Sequence, residues 1–112
     1  MRTELSIAID WADLDLFGHV NNVVFFRYMQ ASRLRYCETL GLTSLNEAGK
    51  LSFLVASCKC DFRKALYYPG AVSVQTEAVW AKNTSFCLRH LIYDKDHELA
   101  AEGEDILVLY DY

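Results

Sequence analysis

The stretch Asp13-Leu14-Asp15-Leu16-Phe17-Gly18-His19-Val20-Asn21-Asn22 gathers two carboxylates, a glycine, a histidine and two asparagines within ten residues. These types suit chemistry at an acyl carbon. A carboxylate can attack such a carbon or activate a water, and backbone amides can stabilise the oxyanion that forms. The amides are at hand if a helix begins at the asparagines, because the first turn leaves its N–H groups without intrahelical partners and carries the positive end of the dipole. Each residue also has a local use. Asp13 and Asp15 are ordinary turn residues, Asn21 and Asn22 are good N-caps, and a histidine beside a turn commonly packs or hydrogen-bonds. We read Asp13 as structural, and Gly18 and His19 as shaping the site.

The elements that would position this stretch follow from periodicity. Leu5 to Trp11 alternates at period two and reads as a first strand, Ala12 to Asn21 as a turn region with Gly18 at positive φ, and Asn22 to Leu40 as a long helix. At 100° per residue its apolar arc collects Phe25, Phe26, Tyr28, Met29, Tyr36, Cys37 and Leu40. Arg33 also falls on the arc and needs a partner, for which Asp13 or another acidic loop residue is the expectation. Gly41 supplies the stop, and Thr43 to Lys50 a polar connection with a short helical turn near Leu45 to Ala48.

Four strands are expected near Ser52–Lys64, Ala71–Lys82, Ser85–Asp94 and Leu99–Tyr110, broken at Tyr68-Pro69-Gly70, Asn83-Thr84 and Asp94-Lys95-Asp96-His97. The last two breaks are hairpin turns and predict antiparallel neighbours. Alternation puts Val72, Val74, Thr76, Ala78 and Trp80 on the helix-facing side, which makes the chain α+β.

Composition sets the outer bounds. At 112 residues, 53% apolar and 23% charged, residues 1–112 are expected to form one globular domain small enough to favour a partner subunit. A net charge of −4, a pI near 5.2 and no Lys/Arg-rich block argue against nucleic acid. No apolar run reaches the ~20 residues of a membrane span, and Met1-Arg2-Thr3-Glu4 leads into a strand rather than a signal core, so a cytoplasmic protein is expected. Cys37, Cys58, Cys60 and Cys87 are expected to be reduced and mostly buried. His90 and His97 suggest no metal cluster.

The order strand, D-x-D-x-x-G-H-V-N-N, long helix and four antiparallel strands resembles the hotdog-fold acyl-CoA thioesterases of the 4-hydroxybenzoyl-CoA thioesterase type. The resemblance rests on Asp13 to Asn22, then Tyr28 and Arg33, and in the second half on Tyr68-Pro69-Gly70 and Asn83-Thr84-Ser85. It implies a five-stranded antiparallel sheet wrapped round the central helix, paired into a homodimer or homotetramer with a pantetheine channel at the subunit interface. It further implies hydrolysis of an acyl-CoA, or an acyl-carrier thioester, to free acid and thiol without a cofactor, coenzyme A being part of the substrate.

Asp15 matches the family's catalytic carboxylate, as nucleophile or general base, and the Asn22 backbone N–H matches its carbonyl-polarising amide. Gly18, His19, Val20, Asn21 and Ser85 would contact the substrate. Of the cations on strands or strand ends, Lys59, Arg63, Lys64, Lys82 and Arg89, which are usually a solvated face, Arg63 and Lys64 are the candidates to meet the coenzyme A phosphates. Gln30 departs from the acidic residue that many relatives carry, and Phe25 from a common tyrosine. The last strand is expected to end the chain without the tail that some relatives have. Two other readings remain: a hydratase or dehydratase using Asp15 with His19, and a non-catalytic acyl-CoA or acyl-carrier binding module.

Overall fold

The computed structural model describes residues 1–42 and 52–110. The elements run β1 (Arg2–Ala8), a single 3-10 turn (Trp11–Asp13), α1 (Asn22–Thr39), β2 (Ser52–Phe62), β3 (Ala71–Ala81), β4 (Ser85–Tyr93) and β5 (Leu99–Tyr110). The strands form one antiparallel sheet in the order β1-β3-β4-β5-β2, with α1 packed against it, the α+β layout that periodicity predicted and the hotdog arrangement that the resemblance implied. The connection expected between Thr43 and Lys50, with its helical turn, lies outside the described residues.

The first strand begins and ends earlier than the alternation suggested. It pairs with β3 from Arg2 opposite Glu77 to Ala8 opposite Ala71, and Asp10 then accepts a hydrogen bond from Ala12 N at 2.9 Å and turns the chain into the 3-10 helix. Trp11 therefore stands in the turn, largely exposed, instead of closing a strand. The helix starts where Asn21 accepts from Val23 N at 3.1 Å and stops where Gly41, at φ +79°, donates to Glu38 O at 3.0 Å.

Val24, Phe25, Tyr28, Met29, Ser32 and Tyr36 form the buried stripe of α1. Phe26 and Leu40, expected in that stripe, lie at its exposed margin, and Ser32 takes a buried place because it has a polar partner on the sheet. The helix seats closely. A Cβ added to Gly103 on β5 would stand 2.5 Å from Met29 Cε and 3.0 Å from Lys59 O, so only glycine fits at this approach without a shift.

Three further expectations are corrected. A bulge between Ala78 and Trp80 puts Trp80 opposite Cys87 while Ala78 stays opposite Leu88, so Trp80 leaves the face of Val72, Val74 and Thr76. Arg33 pairs with Asp105 on β5, Nη1 to Oδ2 2.9 Å, while Asp13 pairs with Arg27 at 3.0 Å on the surface. Among the cysteines only Cys87 is fully buried. Cys58 is exposed because β2 is an edge strand, and Cys37 and Cys60 are intermediate.

Candidate active site

Asp15 sits in a tight loop of its own making. Its backbone N–H donates to His19 O at 2.7 Å, and Gly18, at φ +80°, donates back to Asp15 O at 3.2 Å. The side chain finishes the loop, with Oδ1 accepting from Phe17 N at 2.9 Å and His19 N at 3.1 Å. Among the described residues nothing else donates to the carboxylate, so Oδ2 has no hydrogen-bond partner there.

The helix start is similarly economical. Asn21 N donates to Asp13 O at 2.9 Å, Val23 N goes to the Asn21 side chain, and Val24 N goes to Asn21 O at 2.9 Å. The Asn22 N–H, first in the helix, has no acceptor among the described residues. It is thus the open donor at the positive end of α1.

Asp15 and Asn22 line one cleft of about 230 Å³ with His19, Val20, Phe25, Phe62, Arg63, Lys64 and Ala65. The Phe25 and Phe62 rings meet edge to face at 5.1 Å and give it an apolar wall. His19 packs its ring edge-on against Tyr67, centroids 5.1 Å apart, and bridges to it through the backbone. Val20 is buried in the core and donates to Leu66 O at 2.9 Å. Gly18 and Asn21 shape the loop and cap the helix rather than line the cleft.

Of the cations, Arg63 is half exposed and reaches Glu102 only loosely, at 3.5 Å. Lys64 is held by Asp94 at 2.7 Å and by Glu98, and these hydrogen bonds raise its pKa above the ordinary lysine value. Its charge is already matched, which leaves Arg63 the better placed of the two for a phosphate.

Ser85 is not brought to this cleft. It begins β4 and lines an apolar cleft with Tyr36, Leu40, Phe86 and Leu109 at the far end of α1. An 18-residue helix is about 27 Å long, so Ser85 and Asp15 of one chain do not meet on a substrate's reacting group.

Sequence reasoning missed Phe62, which looked like one more residue of an alternating strand. It also missed a chain of polar groups buried across the sheet beneath the helix. Ser32 Oγ lies 2.5 Å from Thr76 Oγ1, which lies 2.7 Å from His90 Nδ1; His90 Nε2 lies 2.6 Å from Asp105 Oδ2, which also receives Arg33. Ser32, Thr76, His90 and Asp105 are completely buried. Burial pushes the Asp105 carboxyl up, but hydrogen bonds from His90, Cys58 and Arg33 outweigh it and hold the group below the ordinary carboxylate value. The signal for this chain was a carboxylate and a histidine at core-facing positions of neighbouring strands.

A sheet packed on one long helix, with a loop carboxylate and an open amide at the helix's amino end, is the arrangement that the resemblance implied. The chain belongs to the thioesterase-like superfamily, whose family model matches residues 9–112. It is similar to the uncharacterized protein YsmA of Bacillus subtilis (strain 168), 29% identical over 104 residues, spanning 91% of this chain and 68% of that protein. In fold it is similar to a DHNA-CoA thioesterase from Staphylococcus aureus, with a TM-score of 0.89 at 20% identity over 98% of this chain and 74% of that one. A 1,4-dihydroxy-2-naphthoyl-CoA thioesterase from Synechocystis shares the fold with a TM-score of 0.88 at 16% identity, over 99% and 83% of the two chains.

Proposed function

We propose that this thioester hydrolase is an acyl-CoA thioesterase in which Asp15 does the chemistry and the Asn22 amide holds the oxyanion. The observation that carries the reading is that Asp15 and Asn22 line one cleft, with Asp15 Oδ1 committed to two loop amides and Oδ2 given no hydrogen-bond partner among the described residues. By the nucleophilic route, Oδ2 attacks the thioester carbon, the carbonyl oxygen takes its charge toward Asn22 N–H, and the thiolate leaves to give a mixed anhydride that water cleaves. By the general-base route, Oδ2 takes a proton from a water that attacks the same carbon. Both yield free acid and thiol without a cofactor.

The assembly we propose is a cytoplasmic homodimer or homotetramer with its active sites between subunits. Ser85 lies one helix length from Asp15, so only a second chain could supply it to the same substrate. The edge strand β2, with Leu54, Val55 and Phe62 exposed, offers an apolar surface for that second chain. No helix among the described residues is long and apolar enough to cross a membrane.

Thiol release from a panel of acyl-CoAs, read with a thiol-reactive dye, is the test. Asp15→Asn keeps an amide oxygen for Phe17 and His19 N–H, so the loop should persist while turnover falls by about 10²–10⁴. Undiminished turnover in that variant removes Asp15 from the mechanism. Binding of acyl-CoA without thiol release points to a carrier module, and consumption of an enoyl-CoA without thiol release to a hydratase.

A further inference from the structure

A second cleft, about 350 Å³, opens farther along the same helix, between α1 and β2. Leu34, Cys37, Phe53, Val55 and Leu107 make it apolar, and Arg33 is the charged side chain among its lining residues. Phe26 on α1 meets Phe62, at the end of β2 and in the wall of the Asp15 cleft, with ring centroids 6.3 Å apart and both partly exposed. From Asn22 to Arg33 is eleven residues, about 16 Å along the axis. An extended acyl chain of about thirteen carbons, with its thioester carbon at Asn22, would span that distance and end at Arg33.

What holds Arg33 there is the buried chain of Ser32, Thr76, His90 and Asp105. Nη1 is tied to Asp105 Oδ2, and the side chain keeps 19% of its surface open. Among the described residues no other group accepts from the guanidinium. The donor sequence closes if Ser32 gives its proton to Thr76, Thr76 to His90 Nδ1, and the Nε2–H of a neutral imidazole to Asp105, so that the orientation of the carboxylate is fixed from behind. Such an arrangement is poorly explained by stability, because well-packed apolar replacements for a buried ion pair are often neutral or stabilising. It is well explained as a mount that aims a guanidinium, as outer hydrogen bonds aim the ligands of a metal.

Resting on the thioesterase reading above, we propose that Arg33 is the specificity-determining residue for the far end of the acyl group, donating to a neutral oxygen, a hydroxyl or carbonyl, carried about 16 Å from the thioester carbon. A neutral acceptor is favoured over a carboxylate because Asp105 already balances the charge of Arg33. A second carboxylate would leave the group with an unmatched negative charge in an apolar cleft.

The test is binding, so it does not depend on turnover. S-tridecyl-coenzyme A and its ω-hydroxytridecyl and ω-carboxydodecyl counterparts, thioethers that are not hydrolysed, are titrated calorimetrically into the wild-type protein and into Arg33→Met/Asp105→Asn. The double substitution removes the guanidinium without stranding a charge; Arg33→Lys, which keeps the ion pair but loses the planar fork, replaces it if the double variant does not fold. The hydroxylated ligand should bind wild type about tenfold tighter than the plain one, the worth of a hydrogen bond to a charged donor, and the carboxylated one should gain less. In the variant the hydroxyl advantage should shrink to about twofold or less.

Equal affinities in wild type, a hydroxyl advantage that survives loss of the guanidinium, tighter binding of the carboxylate, or no binding of any thioether each overturns the proposal. Hydroxyl-selective binding with no thiol released from any acyl-CoA supports the role of Arg33 and sinks only the hydrolase reading.

Discussion

Replacing Gly103 by alanine puts a methyl group where the helix already sits. The new Cβ would lie 2.5 Å from Met29 Cε and 2.6 Å from Sδ, both at the flexible end of a side chain, and 3.0 Å from the backbone oxygen of Lys59, which is not free to swing. Met29 is completely buried, so its thioether can retreat only by displacing other core atoms. Overpacking of this kind costs about 1–3 kcal/mol, and the stiffer unfolded chain of alanine offsets roughly 0.4–1 kcal/mol of it, for a net loss of roughly 1–2 kcal/mol. Met29→Ala alone should cost about 2–5 kcal/mol through the cavity it leaves. The pair should cost less than the sum by about 1 kcal/mol or more, because the methyl then fills space that the thioether vacated. Urea unfolding at one fixed protein concentration reads all four proteins through the midpoint at constant slope. A Gly103→Ala midpoint indistinguishable from wild type, or strict additivity in the double variant, would refute the close-seating argument.

Other perturbations probe separate features. Tyr28 is buried with no hydrogen-bond partner for its hydroxyl among the described residues, and burial, with the Asp13 charge adding to it, pushes its pKa up to about 12. Tyr28→Phe should therefore be neutral or stabilising by about 1 kcal/mol in a thermal melt, and a clear loss would mean the hydroxyl has a partner. Because the folded Asp105 carboxyl lies below its ordinary value, its contribution is present at neutral pH. That contribution should shrink as pH falls below about 4, toward and through the folded value. Asp105→Asn, which strands Arg33, should flatten this acid limb while costing about 3–5 kcal/mol at pH 7, and a limb of unchanged steepness in urea titrations across pH would count against it. Asn21→Ala removes the acceptor for Val23 N and should cost about 1 kcal/mol, readable as a lower urea midpoint.

The helix and the two hairpins were legible because each is a local matter. Asn21 and Gly41 bound the helix with side-chain and backbone chemistry that a short window reveals, and Asn83-Thr84 and Asp94 to His97 can only be tight turns. The pairing of β1 with β3 and of β2 with β5 joins segments far apart in the chain, and no local pattern encodes it. The bulge at Ala78 and Trp80 was hidden for a related reason. An extra residue turns every later side chain over, yet the sequence still looks like unbroken alternation. Thr76 could be placed facing the core from its own strand, but its neighbours His90 and Asp105 appear only once the registers of three strands are set together. Within the candidate site, the motif pointed to Asp15 and Asn22, and the fold lines one cleft with both. Which oxygen and which amide are open depends on the loop's hydrogen bonds, which no spacing rule supplies.

The carboxylate of Asp15 is both a fastener and the group proposed to react, and the two duties are electronically linked. Oδ1 accepts from the Phe17 and His19 amides, and a charged acceptor holds such donors more strongly than a neutral one. Were Oδ2 to become acylated, the charge would leave both oxygens together and the two amides would be holding a neutral carbonyl. The loop would then be slackest while the anhydride exists and would tighten again when water restores the carboxylate. The general-base route transfers only a proton and breaks no such symmetry for longer than the reaction itself. Loop stiffness, observed at the Phe17 and His19 amides, would then be a clock that runs differently for the two chemistries.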